Sequence, residues 1–233
     1  MDMSEWRKEH RAVICDFLQQ LNKQTDEYIL KGGTSLMLFY NLDRFSEDID
    51  LDSINPHKIK SFVKEFCEKN GYSYRVAKDT ETVQRYMINY QEDSFSLKPL
   101  KVEISFRKDK FPPPTEQVVI NDTVVYSVNA ICKMKAEAYK NRDKIRDLYD
   151  LGFICEKYWN TLSNETKDAV VHSVKAKGIE QFDYVTKNQK DELIDYDKML
   201  TNFLDMCCKI DEYEAGKQVP PKEKKGKFNY GDD

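Results

Sequence analysis

Apolar and polar positions alternate along the chain with two different periods. Over residues 4–22, Trp6, Val13, Ile14, Phe17, Leu18 and Leu21 recur at three- and four-residue spacing, which predicts a helix capped by Ser4. Tyr28-Ile29-Leu30 is a short strand that runs into Gly32-Gly33-Thr34-Ser35 and an apolar helical stretch over 36–42. Asp48-Ile49-Asp50-Leu51-Asp52 alternates strictly, the signature of a strand with one wet face. A helix is predicted from Pro56 to about Asn70, stopped by Gly71. Strands follow over 72–77, 83–90 and 100–106. In the last, Leu100, Val102, Ile104 and Phe106 face one way and Lys101, Glu103 and Ser105 the other. Pro112-Pro113-Pro114 marks a loop, and 118–125 reads as a hairpin or edge strand around Asn121-Asp122. Beyond Ser127 the strand signal fades into helices over 128–140, 143–158, 162–176 and 189–213. Leu193, Tyr196, Leu200, Phe203, Cys207 and Ile210 form a packing seam on the last.

The pattern implies an α+β protein: a mixed sheet domain over 1–127, then a C-terminal helical bundle over 128–215 that contributes to the site. In 216–233, Lys, Pro and Gly dominate without a period, and a disordered tail is expected there. At 233 residues the chain can bury a core without staples. Charged residues make up 33% and mean hydropathy is −0.73, and no apolar run approaches the roughly 20 residues of a membrane span. With no secretory h-region at the N-terminus, a cytoplasmic protein is expected. The 37 basic and 41 acidic residues leave a net charge of −4. That excludes attachment to nucleic acid by bulk charge, so any such contact must be a local patch. The six cysteines form no C-x-x-C pair and join no histidine cluster, which predicts reduced thiols and no zinc site.

Four features carry chemistry. Gly32 and Gly33 permit a tight exit from a strand and close approach of a ligand. The helix that follows begins with amides lacking internal partners, which suits a phosphate. Asp48 and Asp50, two apart on a strand, project from one face, and a divalent cation such as Mg²⁺ would relieve their repulsion. Glu103 lies on the polar side of its strand. If that strand neighbours the first, three carboxylates converge, a set able to hold two metals for displacement at phosphorus. Between Ile131 and Arg146, six basic residues face two acidic ones. As one continuous helix, this stretch would bring Lys135, Arg142 and Arg146 onto a narrow face beside Tyr139.

Lys31-Gly32-Gly33-Thr34-Ser35-Leu36 and Arg44-Phe45-Ser46-Glu47-Asp48-Ile49-Asp50-Leu51 resemble the nucleotidyltransferase superfamily. Lys135-Ala136-Glu137-Ala138-Tyr139-Lys140-Asn141-Arg142 and Arg146-Asp147-Leu148-Tyr149-Asp150-Leu151 narrow the resemblance to AbiEii/MenT-type nucleotidyltransferase toxins. The resemblance implies Asp48, Asp50 and Glu103 as metal ligands for Mg²⁺ or Mn²⁺. It implies Lys135, Asp147 and Asp150 as further catalytic residues. It implies Gly32, Gly33, Thr34, Ser35, Arg44, Ser46, Lys135 and Arg142 as the nucleotide site. The activity implied is transfer of NMP from an NTP to an acceptor, the tRNA 3′ end or another RNA, by a toxin held in check by an antitoxin. The alternatives are a non-catalytic interaction protein that keeps the fold, a nucleotidyltransferase acting on protein or a small molecule, and a nuclease or phosphohydrolase using the same acids.

Overall fold

The computed structural model describes residues 3–55, 57–91, 98–108 and 110–218. Its centre is a seven-stranded mixed sheet in the order β3-β4-β5-β2-β1-β7-β6. The strands are β1 (Ile29–Lys31), β2 (Asp48–Asp52), β3 (Ser73–Asp79), β4 (Val83–Asn89), β5 (Leu100–Ser105), β6 (Gln117–Ile120) and β7 (Thr123–Tyr126). β2 lies mid-sheet, antiparallel to β1 and parallel to β5. Its alternation has the expected consequence. Ile49 and Leu51 are fully buried, as are Leu100, Val102 and Ile104 of β5, whereas Asp48, Asp50, Lys101 and Glu103 stay partly open. The apolar face joins one core with Phe17 of α1 (Met3–Gln24) and Phe62 and Phe66 of α3 (His57–Asn70), whose rings lie 5.1 Å from that of Phe17.

The hairpin over 118–125 is β6–β7. Its turn residues Asn121 and Asp122 have φ of 49° and 61°, the left-handed pair a tight hairpin requires. β7 then pairs in parallel with β1. The helix expected over 36–42 is α2 (Gly32–Phe39), which starts directly at the glycines.

Five helices follow: α4 (Val128–Asn141), α5 (Ile145–Tyr158), α6 (Asn164–Lys177), α7 (Glu180–Asn188) and α8 (Tyr196–Gln218). The basic stretch is not one helix. α4 ends at Asn141, Arg142 is extended with φ −149°, and α5 begins at Ile145. The helix expected over 189–213 is also corrected. Residues 189–195 form a loop, in which Gln189 accepts from the Ile145 amide at 3.0 Å and Asp195 accepts from the Lys198 amide at 3.0 Å to cap α8. The polar side chains at these two positions serve helix ends rather than a helix interior.

The α8 seam is rotated from the one expected. Met199, Phe203, Met206 and Ile210 are buried, whereas Tyr196 and Leu200 are exposed. α7 escaped the period analysis because Val185 is its one buried residue. α8 continues to Gln218, past the Gly216 at which a tail was expected, and residues 219–233 lie outside the described residues. All six cysteines are free. Among the described residues, no helix is long and apolar enough to cross a membrane.

Candidate active site

The site begins at the corner between β1 and α2. Gly32 has φ +76°, and a Cβ there would stand 3.0 Å from Asp50 Oδ2. A Cβ on Gly33 would stand 2.7 Å from Arg44 Nη2 and 2.8 Å from Ser46 Oγ. The two missing side chains therefore admit the Asp50 carboxylate on one side and Arg44 with Ser46 on the other. Lys31, the N-cap of α2, makes no side-chain capping bond, so the first amides of the helix have no side-chain acceptor from that position. The two hydroxyls expected at phosphate are placed otherwise. Thr34 is buried, donates to the Asp48 carbonyl and lies 2.9 Å from Ser46 Oγ. Ser35 is fully buried, and its Oγ has no partner among the described residues. Neither lines the cavity in front of the corner, whereas Gly32, Gly33 and Ser46 do. Thr34 acts as a clamp between α2 and the start of β2.

The parallel pairing of β2 with β5 sets Asp48 opposite Lys101 and Asp50 opposite Glu103. The adjacency needed for three carboxylates to meet is therefore present, and all three line the cavity. Their charges are distributed unequally. Lys101 Nζ lies 2.6 Å from Asp48 Oδ2, and Arg85, opposite Glu103 on β4, places Nη2 at 2.6 Å and Nε at 2.7 Å from Glu103 Oε2. Asp50 makes no ion pair among the described residues. Burial, aided by the charges of Asp48 and Glu103, holds its carboxyl above the usual carboxylate range against the pull of Lys101. Burial is the largest influence on the Lys101 ammonium and would depress it, but the bond to Asp48 and the charges of Asp48, Asp50 and Glu103 together raise it. Among the described residues, no three Asp, Glu, His or Cys side chains are already grouped as a metal-ligand set. The strands are adjacent, as the convergence requires, while Glu103 is paired with Arg85 of β4. The third acid on the face of β2, Asp52, is buried and held by Lys31 and by Tyr126 Oη at 2.7 Å.

The opposite wall is helical. Asp150, fully buried on α5, accepts the Arg44 fork at 2.6 and 2.7 Å and Lys135 Nζ at 2.6 Å. Burial would raise its carboxyl, but Lys135 and Arg44 together hold it below the usual range. Asp147 takes Arg142 Nε at 2.6 Å and Lys135 at 3.3 Å. Two expectations change here. Asp150 does not line the cavity, so it positions Arg44 and Lys135 from behind. Arg44, 4% exposed, has its fork committed to Asp150. Arg142 remains open, its side chain 59% exposed, with Asp147 anchoring it at the rim.

Between the walls lies a cavity of about 1160 Å³. Ten basic and six acidic residues line it, a local excess of positive charge in a protein of net −4. Its far side is closed by 188–191, where Asp191 takes Arg146 Nε at 2.5 Å. Sequence reasoning missed Lys31, Arg85, Lys101, Arg107 and this loop. Lys101 was legible as sharing a face with Glu103. Its place against Asp48 needed the strand register.

The family model described as the nucleotidyl transferase AbiEii toxin of type IV toxin–antitoxin systems matches residues 16–211. This chain belongs to the AbiEii nucleotidyltransferase toxin family. It is a nucleotidyltransferase, as its glycine corner and acidic strand indicate. The AbiEii chain is similar in structure to JHP933 from Helicobacter pylori, with 27% identity, TM-score 0.75, and 93% of this chain and 97% of that one covered. A candidate nucleotidyltransferase from H. pylori is similar at 26% identity and TM-score 0.74, covering 93% and 100%. A more distant likeness is to MenT4, a nucleotidyltransferase toxin of Mycobacterium tuberculosis H37Rv, at 19% identity and TM-score 0.49 over 85% and 82%. No curated protein matches the sequence.

Proposed function

We propose that this AbiEii protein transfers a nucleoside monophosphate from an NTP to an RNA, with the tRNA 3′ end as acceptor, and that the reaction depends on Mg²⁺ or Mn²⁺. The observation that carries the reading is the juxtaposition of Asp48, Asp50 and Glu103 on neighbouring strands with a glycine-cornered helix start, across a cavity from Lys135 and Arg142. The donor set fits a hard divalent cation: it is all carboxylate, and Asp50, whose charged form burial disfavours, has no ion-pair partner among the described residues. Asp48 and Asp50 would hold the cation, with Glu103 joining them. When bound, the cation supplies charge neutralisation at the triphosphate and a more acidic acceptor hydroxyl.

The protein's own groups align the reactants. The glycine corner at the start of α2 and the Ser46 hydroxyl, which line the cavity, face the phosphates. Lys135, anchored by two aspartates, is a fixed positive charge in the cavity wall, and the exposed Arg142 can close on the triphosphate. The acceptor oxygen attacks the α-phosphorus, the bond to the β-phosphate breaks, and pyrophosphate leaves. A cavity near 1160 Å³ exceeds the roughly 300–1,000 Å³ typical of small-ligand sites, which supports a second reactant. The basic excess of its lining suits a polyanionic one. The reading sets the reaction in the cytoplasm, among NTPs and tRNA, with a cognate antitoxin restraining it.

The test uses each α-³²P-labelled NTP, Mg²⁺ and total RNA with wild type, Asp48→Ala and Asp50→Asn. Labelled tRNA that falls at least about a thousandfold in both variants is the expected result. Label on protein, or on a small molecule, would replace the acceptor. Labelling that survives in the variants or in chelator would end the carboxylate–metal reading.

A further inference from the structure

Among the cations of the sheet wall that the reaction outlined above does not use, two are paired with its acids. Lys101 sits across the β2–β5 register from Asp48, and Arg85 sits across the β4–β5 register from Glu103. Each is within 2.6 Å of its carboxylate oxygen. Both Arg85 contacts fall on Oε2 of Glu103. The four side chains are 27–39% exposed, so each pair is the half-hydrated kind that contributes little net stabilisation. Such pairs neutralise charge without locking it, and both lie on the wall of the cavity where the phosphates would enter.

We propose that Lys101 and Arg85 are resident counter-cations of the acidic site, which hold Asp48 and Glu103 until a nucleotide-bound metal displaces them, and so make metal and NTP bind cooperatively. The inference rests on the function proposed above and adds how the site is loaded. A free divalent cation arriving at Asp48 must displace the Lys101 ammonium, and the displaced positive charge then stays a few ångströms away and repels it. A cation already chelated by a triphosphate brings anionic oxygens, which receive the freed ammonium and guanidinium. The two ligands therefore gain from each other, and the coupling is reciprocal. Lys101 and Arg85 are positioning residues in this scheme: they set when the carboxylates are free.

Mn²⁺ binding measured by electron paramagnetic resonance, without turnover, tests this. Wild type, Lys101→Met, Lys101→Arg and Arg85→Met are titrated with Mn²⁺, alone and with an α,β-methylene NTP analogue. Lys101→Met should bind Mn²⁺ alone about tenfold tighter than wild type, and its gain on adding the analogue should shrink by a similar factor. Lys101→Arg, which keeps the charge, should stay within about threefold of wild type. Arg85→Met should move the same way as Lys101→Met by a smaller factor, and it keeps the test open should loss of Lys101 unfold the protein. Unchanged or weaker Mn²⁺ affinity in the soluble Met variants, with label transfer intact in wild type, overturns this proposal and leaves the function standing. No Mn²⁺ binding by wild type even with the analogue overturns both.

Discussion

The two walls of the cavity use the same residue types for opposite purposes. On the helical wall, Asp150 is completely buried and takes three contacts from two cations, and Asp147 is 1% exposed between Lys135 and Arg142. On the sheet wall, Asp48 and Glu103 are half-buried with one cation each, and Asp50 has none among the described residues. Buried charge must be paired or it is expelled, so the helical wall is a fixed girder linking the segment before β2 to α4 and α5. Half-hydrated charge can change partners. Burial and pairing thus separate the acids that build the site from those left available for chemistry.

The contrast is open to direct attack. The largest effect on stability is expected from Asp150→Asn, which leaves Arg44 and Lys135 buried beside a neutral group. A loss of about 3–5 kcal/mol is expected, read from denaturant midpoints. Because the folded-state carboxyl is held below its ordinary value, the stabilisation from Asp150 is present above about pH 4 and disappears as pH falls through the folded value. The stability curves of wild type and Asp150→Asn should therefore converge below about pH 4, and parallel curves would show that Asp150 is not the ionised anchor. Next comes Gly33→Ala. Its methyl would crowd the Arg44 fork and Ser46 Oγ, loosening the link between corner and girder by about 1–3 kcal/mol. An unchanged melting temperature would mean that the corner is not tied to Arg44. The smallest stability effect has the opposite sign. Asp50→Asn removes a carboxylate that burial and like charge disfavour, so the folded protein should gain about 0.5–1 kcal/mol while losing transfer. A destabilised Asp50→Asn would place Asp50 with the girder instead.

Much of this contrast was hidden in the sequence for a physical reason. Periodicity reports which face of an element is wet, and it identified Asp48, Asp50 and Glu103 correctly as sharing polar faces. It treated Asp52 in the same way, but Lys31 and Tyr126 close over that carboxylate and bury it. The resemblance grouped Asp147 and Asp150 together, yet within one turn of helix the first lines the cavity and the second lies wholly behind it. Thr34 and Ser35 stand where a phosphate loop is expected, but α2 begins at Gly32 and turns both inward.

Short-range physics is written in the chain itself. The order of the strands, a chain reversal around Asn121-Asp122, the glycine corner and the alternating acids all depend on neighbours within a few residues, and the sequence was enough for them. Pairing across long separations is not local. The β2–β5 register that sets Lys101 on Asp48, the reach of Arg44 to Asp150 over 106 residues, and the loop at 188–191 closing the cavity were decided only when the core folded. Such contacts are chosen by what the whole buried interior can pair and fill, and a one-dimensional pattern does not carry that information.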